Sequence, residues 1–116
     1  MAKPPEPLAE ILALAVVVVD ATVAEIVRTG DTPAQNADAQ HGGGGGAHPE
    51  QSVRLDVARV LRGQPASPLT VTKPPGAYLV KVGTTGAWLV DDAGVILGRY
   101  GPDSWSLAKV VDAVAR

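Results

Sequence analysis

The sequence predicts a mainly β protein: one small barrel of five or six antiparallel strands, with a short N-terminal helix before it and a C-terminal helix after it. Three observations carry that prediction. Val16 to Val27 is a β-branched run that follows a two-residue period and then changes face, as one long bent strand does. The apolar share of 46% comes from Val, Ala and Leu, with no Phe, two Trp and two Tyr, a composition that suits sheets. Thirteen Gly and ten Pro interrupt the chain often enough to favour short strands and turns over a helix bundle. At 116 residues there is material for one domain with one core.

The elements follow in order. Residues 1–7 are a Pro-rich lead, expected to be loosely ordered, and residues 8–116 are the single domain. Leu8, Ile11, Leu12 and Ala15 recur at helical spacing, so Leu8 to Ala15 reads as two turns with one apolar face, started by Pro7 and packed against one end of the barrel. In the long strand, Val17, Val19, Ala21 and Val23 share a face until Glu25 breaks it and Ile26 takes over, which places a bulge near Ala24. From Gly30 to Glu50 the chain turns to Gly, Ala, Asp, Gln and Asn, with five glycines at 42–46. This is a flexible loop inside the domain, and the slow growth of loop-closure entropy with length lets it be an inert insertion.

Ser52 to Leu61 is a second strand with Val53, Leu55 and Val57 inward; after Ala58 its register flips, so it bends too. Leu69 to Thr72 is a third strand, ended by Pro74-Pro75-Gly76. Tyr78 to Val82 and Ala87 to Val90 form a hairpin around Gly83-Thr84-Thr85-Gly86, and Val95 to Tyr100 is the last strand. Ser106 caps a C-terminal helix whose Leu107, Val110, Val111 and Val114 form one stripe.

These segments, in this order, carry a resemblance. The Val57-Ala58-Arg59-Val60-Leu61-Arg62-Gly63 stretch, the Leu-Thr-Val-Thr strand, Trp88-Leu89-Val90-Asp91-Asp92-Ala93-Gly94 and Arg99-Tyr100-Gly101-Pro102 stand between two helices. The chain resembles the bacterial branch of the netrin-like, tissue-inhibitor-of-metalloproteinase-like domains over most of residues 8–115. The resemblance implies a five-stranded OB-type barrel with flanking helices, a tendency to bind proteins, and no catalysis. The animal members chelate a metalloproteinase zinc through an N-terminal Cys-x-Cys stretch. This chain has no Cys, so no inhibitory residue carries over.

The remaining signals exclude more than they assign. Ten basic against twelve acidic residues give a net charge of −2 with no run of one sign, which offers nothing to nucleic acid or anionic lipid. No apolar run reaches the roughly 20 residues of a membrane helix, so no membrane span is expected. Val19-Asp20-Ala21 imitates a signal-cleavage site, but the flank holds one cation, Lys3, against Glu6 and Glu10, and is crowded with proline. A soluble chain is expected, in a compartment the residues do not specify.

His41 and His48, with Asp38 and Glu50, bracket the glycine run, yet their spacing fits no standard metal site, and no metal is expected. Asp91 and Asp92 belong to a turn, and neither a nucleophile elbow nor a phosphate-binding glycine loop is present. The expected function is therefore a non-catalytic protein-interaction module without cofactor, binding an unknown partner through barrel-end loops. Trp88, Tyr100 and Trp105 are the candidate contact rings, although Trp105 also suits a plug for the barrel end. One alternative is single-stranded nucleic-acid binding through Arg54, Arg59, Lys73 and Lys81 on one outer face. Another is assembly through a strand edge at Thr70 to Thr72, where the oligomeric state is open.

Overall fold

A computed structural model describes residues 4–30, 48–76 and 78–116. Six elements order them: α1 (Leu8–Leu12), β1 (Val17–Thr29), β2 (Gln51–Arg62), β3 (Leu69–Lys73), β4 (Thr85–Val90) and α2 (Leu107–Val114), with a 3-10 turn at Gly101–Asp103. The four strands form an open antiparallel sheet in the order β3-β2-β1-β4. The chain is mainly β, as its composition predicts. The glycine run and His41 lie outside the described residues.

β1 and β2 make one long, strongly bent ribbon. Their pairing slips four times, and one slip falls between Val23 and Glu25, where the switch of apolar face places the bulge at Ala24. Another slip lies opposite Asp20 and Ala21, whose partners Arg59 and Val57 skip Ala58. Each extra residue bends the strand and turns the following side chains over, so the periodicity break in the sequence is the bend in the fold.

The inward residues of the ribbon meet those of β3 and β4 in one cluster: Val19, Ala21, Val23, Val53, Leu55, Leu69, Val71, Trp88 and Val90, joined by Val80 and Ile96. The other face of β1 and β4 is buried as well. Val18, Ala87 and Leu89 pack beneath α1 and α2 with Leu8, Leu12, Ala15, Trp105 and Val110. α1 therefore covers the outer face of the sheet instead of one end of it. It stops at Leu12, one turn shorter than the sequence suggests, because the Arg62 guanidinium donates to the carbonyls of Leu12 (2.6 Å) and Ala15 (3.1 Å) and satisfies the helix end there. α2 starts as expected, with the Ser106 hydroxyl accepting from the Lys109 amide at 3.2 Å. The described part of the lead is tied down: Glu6 accepts from the Arg99 amide, and the Arg99 guanidinium donates to the Pro4 carbonyl.

Two expected strands take another form. Tyr78 to Val82 has the alternation of a strand but no ladder; it crosses the sheet end as an extended connection. Val95 to Tyr100 shrinks to single-residue bridges, Val95 to Thr72 and Ile96 to Val90, before a turn takes over at Arg99. The described residues thus hold four strands, where five or six are predicted. Residues 94–97 nevertheless clip to both outer strands. The Thr72 amide donates to the Gly94 carbonyl (2.9 Å) and the Ile96 amide to that of Thr72 (2.8 Å), while the Leu97 amide reaches Leu89 at 2.7 Å. The Thr70 to Thr72 edge proposed for assembly is therefore occupied at Thr72.

Candidate functional site

The chemistry-bearing residues of the chain gather where the connection 78–84 crosses the end of the sheet. β2 begins with Gln51 and β3 ends with Lys73, and these two are cross-strand partners. Both sit at inward positions: Gln51 in phase with Val53 and Leu55, Lys73 in phase with Leu69 and Val71. Inward polar side chains must find partners or pay the cost of burial. Gln51, 3% exposed, does so with its whole amide, donating to the Val80 carbonyl at 3.0 Å and accepting from the Val80 amide at 2.8 Å. Those are the two bonds that a neighbouring strand would make to the main chain at this point.

Lys73 is enclosed, although the protein layer around it is thin, and no carboxylate pairs with it among the described residues. Its Nζ donates to the Tyr78 carbonyl at 2.7 Å and lies 5.1 Å from the centre of the Tyr78 ring, a cation–π distance. Burial lowers the pKa of this amine. Tyr78 points inward beside it. Its hydroxyl is buried without a hydrogen-bond partner, and burial first, then the negative charge of Asp103, push its pKa well up. The ring wedges against the backbone of Gly101, where a Cβ would meet ring atoms at 2.6 Å, and Gly101 itself has φ of +59°. Glycine is needed there on both counts.

The connection is anchored to backbone at its two ends. His48 and Gly76 exchange both main-chain bonds, at 2.8 and 3.1 Å, and the Gly83 amide donates to Val23 while Thr84 accepts from it. Between those anchors Tyr78 and Val80 join the core, while Leu79 is 43% and Val82 62% exposed. Lys81 is exposed between them.

The three candidate rings do not meet at one surface. Trp88 is fully buried in the inner cluster with Nε1 donating to the Ala21 carbonyl at 2.8 Å. Trp105 is buried in the outer cluster under the helices, its Nε1 bonded to the Glu6 carbonyl at 3.0 Å, so it fills a core without plugging the sheet end. Tyr100 is half-buried at the turn before Gly101, its amide bonded to the Ser104 hydroxyl. In a chain without Phe, the large rings are spent on packing.

The basic quartet is not assembled on one face either. Lys73 faces the core, Arg54 is partly exposed and pairs with Glu25 at 3.3 Å, and Arg59 and Lys81 stand exposed. Among the described residues no three His, Cys, Asp or Glu side chains come together as a metal would need, and His41 and Asp38 lie outside them. No described helix is long and apolar enough to cross a membrane.

Gln51 is the residue that the sequence reading missed, and Lys73, expected on an outer basic face, points inward instead. The two-residue period was the signal: each sits an even number of positions from the inward residues of its own strand, and polarity alone argued otherwise. No protein-family model, curated protein or solved structure matches the chain.

Proposed function

We propose that this chain is a non-catalytic protein-interaction module on an OB-like barrel of the netrin-like kind, and that its partner contacts the barrel end at residues 79–82. Two groups of observations support this. The first concerns the frame. The parallel bridge from Thr72 to Val95 and the antiparallel one from Val90 to Ile96 set residues 94–97 between β3 and β4, which supports reading the sheet as a five-stranded barrel with its fifth strand reduced to a clip.

The second concerns the surface and carries the functional reading. Leu79 and Val82 are large apolar side chains left in solvent on a segment whose main chain is pinned by Gln51, Lys73 and Val23. Exposed apolar side chains on a rigid loop form a contact surface that loses little entropy on binding.

The test is capture from a lysate with the immobilised chain, beside a Leu79→Asp/Val82→Asp variant of unchanged thermal stability. The expected result is a discrete protein, retained at high salt by the parent chain and lost by the variant. Equal retention by both would refute the assignment, and nucleic acid retained only at low salt would replace it with the single-strand-binding alternative.

A further inference from the structure

We propose that the bracket formed by Gln51, Lys73 and the adjoining core is a recognition site for an extended peptide with an aromatic residue and, two positions later, an aliphatic one, and that Tyr78-Leu79-Val80 occupies it in cis. The inference rests on the reading of this end of the barrel as the contact surface and names the ligand class it takes.

The bracket treats residues 78–80 as a bound strand is treated. It reads their main chain through three hydrogen bonds: the Gln51 amide donates to the Val80 carbonyl and accepts from the Val80 amide, and Lys73 Nζ donates to the Tyr78 carbonyl. It takes alternate side chains, Tyr78 and Val80, into the core and leaves Leu79 outside. The backbone that carries the receptor groups does not depend on the occupant for its placement. Gln51 is held between Thr29 and Lys73 by the ladders of β1 and β3.

The cis occupant fits imperfectly. The Tyr78 hydroxyl is buried with nothing to bond, so a phenylalanine in its place keeps the ring and sheds the unmet group. The occupant also lies outside the sheet. Its backbone anchors flank it, at Gly76 and Gly83, and no ladder runs through it, so displacing it breaks no ladder bond. Selection then falls on two side chains, since everything else is read from the main chain. The groove of about 930 Å³ between α1 and α2 is the other candidate, but its rim mixes Lys109 and Arg116 with Asp112 and selects no partner.

The test uses the full chain and end-blocked peptides copying residues 78–82, with Tyr or with Phe in first place. A third peptide has Gly in the first and third places. Fluorescence anisotropy of labelled peptide reads binding, and nitration of Tyr78, resolved from Tyr100 by peptide mapping, reads displacement. The cis copy competes at an effective concentration of millimolar or above, so saturation is expected in that range. The Phe peptide is expected to bind about five- to tenfold tighter than the Tyr peptide and to speed nitration of Tyr78 alone. The Gly peptide should do neither.

Gln51→Leu is expected to weaken the Phe peptide by at least about tenfold although it loosens Tyr78, because it removes the group that reads the main chain. Lys73→Met serves if that variant does not fold. No saturable binding by the parent chain, equal binding of the Gly peptide, or undiminished binding by the variants would overturn the proposal. Since purified protein and peptide suffice, a negative result leaves the Leu79/Val82 capture experiment to judge the broader reading by itself.

Discussion

The β1–β4 half of the sheet and the connection 78–84 bury similar apolar side chains by different means. Between β1 and β4 the main chains pair over six residues, and both faces are covered, one by the inner cluster and the other by the two helices. Residues 78–82 have no ladder. They are carried by two polar side chains at the ends of neighbouring strands. A ladder spreads stability over many interchangeable main-chain bonds, whereas a bracket concentrates it on single residues whose chemistry cannot be exchanged.

The largest effect should come from the ladder side. Trp88→Ala removes a ring that is fully enclosed and hydrogen-bonded to Ala21, and is expected to cost about 3–5 kcal/mol by urea denaturation. A loss below about 1 kcal/mol would show that the doubly covered half is not where stability resides.

Next comes the bracket. Gln51→Leu leaves the Val80 amide and carbonyl without partners and is expected to cost about 1–3 kcal/mol. Hydrogen exchange sharpens the contrast: the Val80 amide should lose protection while those of Val19 and Trp88 keep theirs relative to global unfolding. Equal changes at all three would make connection and sheet one cooperative unit.

Smaller effects involve two titrating groups, Tyr78 of the connection and Lys73 beneath it. Tyr78→Phe sheds an unmet hydroxyl and should leave the fold unchanged or up to about 1 kcal/mol more stable. The pH dependence has opposite signs for the two. Tyr78 keeps its proton above 10.0 in the native state while the unfolded chain loses it, so its contribution to stability falls as pH rises beyond 10.0. Lys73 gives up its proton below 10.5 in the native state while the unfolded chain still holds it, so stability rises as pH climbs from the lowered pKa towards 10.5. Denaturation across that range should show a rise and then a fall. Tyr78→Phe should abolish the fall and Lys73→Met the rise; a profile unchanged in either variant would refute its assignment.

The smallest effect belongs to the exposed pair of Arg54 and Glu25, where Glu25→Gln should change stability by no more than about 0.5 kcal/mol. A larger loss would mean that the far end of the ribbon relies on charge.

Much of this architecture was legible in the residues. The reversal of apolar face at Ala24 and the register flip at Ala58 are written as breaks in a two-residue period, and a period break is local information. Ser106 as a cap was equally readable. The candidate site was harder to see. Tyr78 to Val82 alternates like a strand, and nothing within it says that its hydrogen bonds come from a glutamine side chain 29 positions away. The period of β3 makes Lys73 an inward position, yet its charge assigns it to an outer basic face, because charge usually lies outside.

The sequence by itself determined the mainly β class, the two bent strands, the capped C-terminal helix and the inward faces of Val19–Val23 and Val53–Val57, because periodicity and capping depend on residues close together in the chain. It did not determine that of Val60, which is exposed. Only the tertiary structure decided that residues 95–100 make single bridges instead of a strand, that the Trp rings are core, and that Gln51 and Lys73 hold the connection. Those outcomes depend on which main-chain groups remain unpaired once distant strands have met, and the apolar pattern within each segment does not record that.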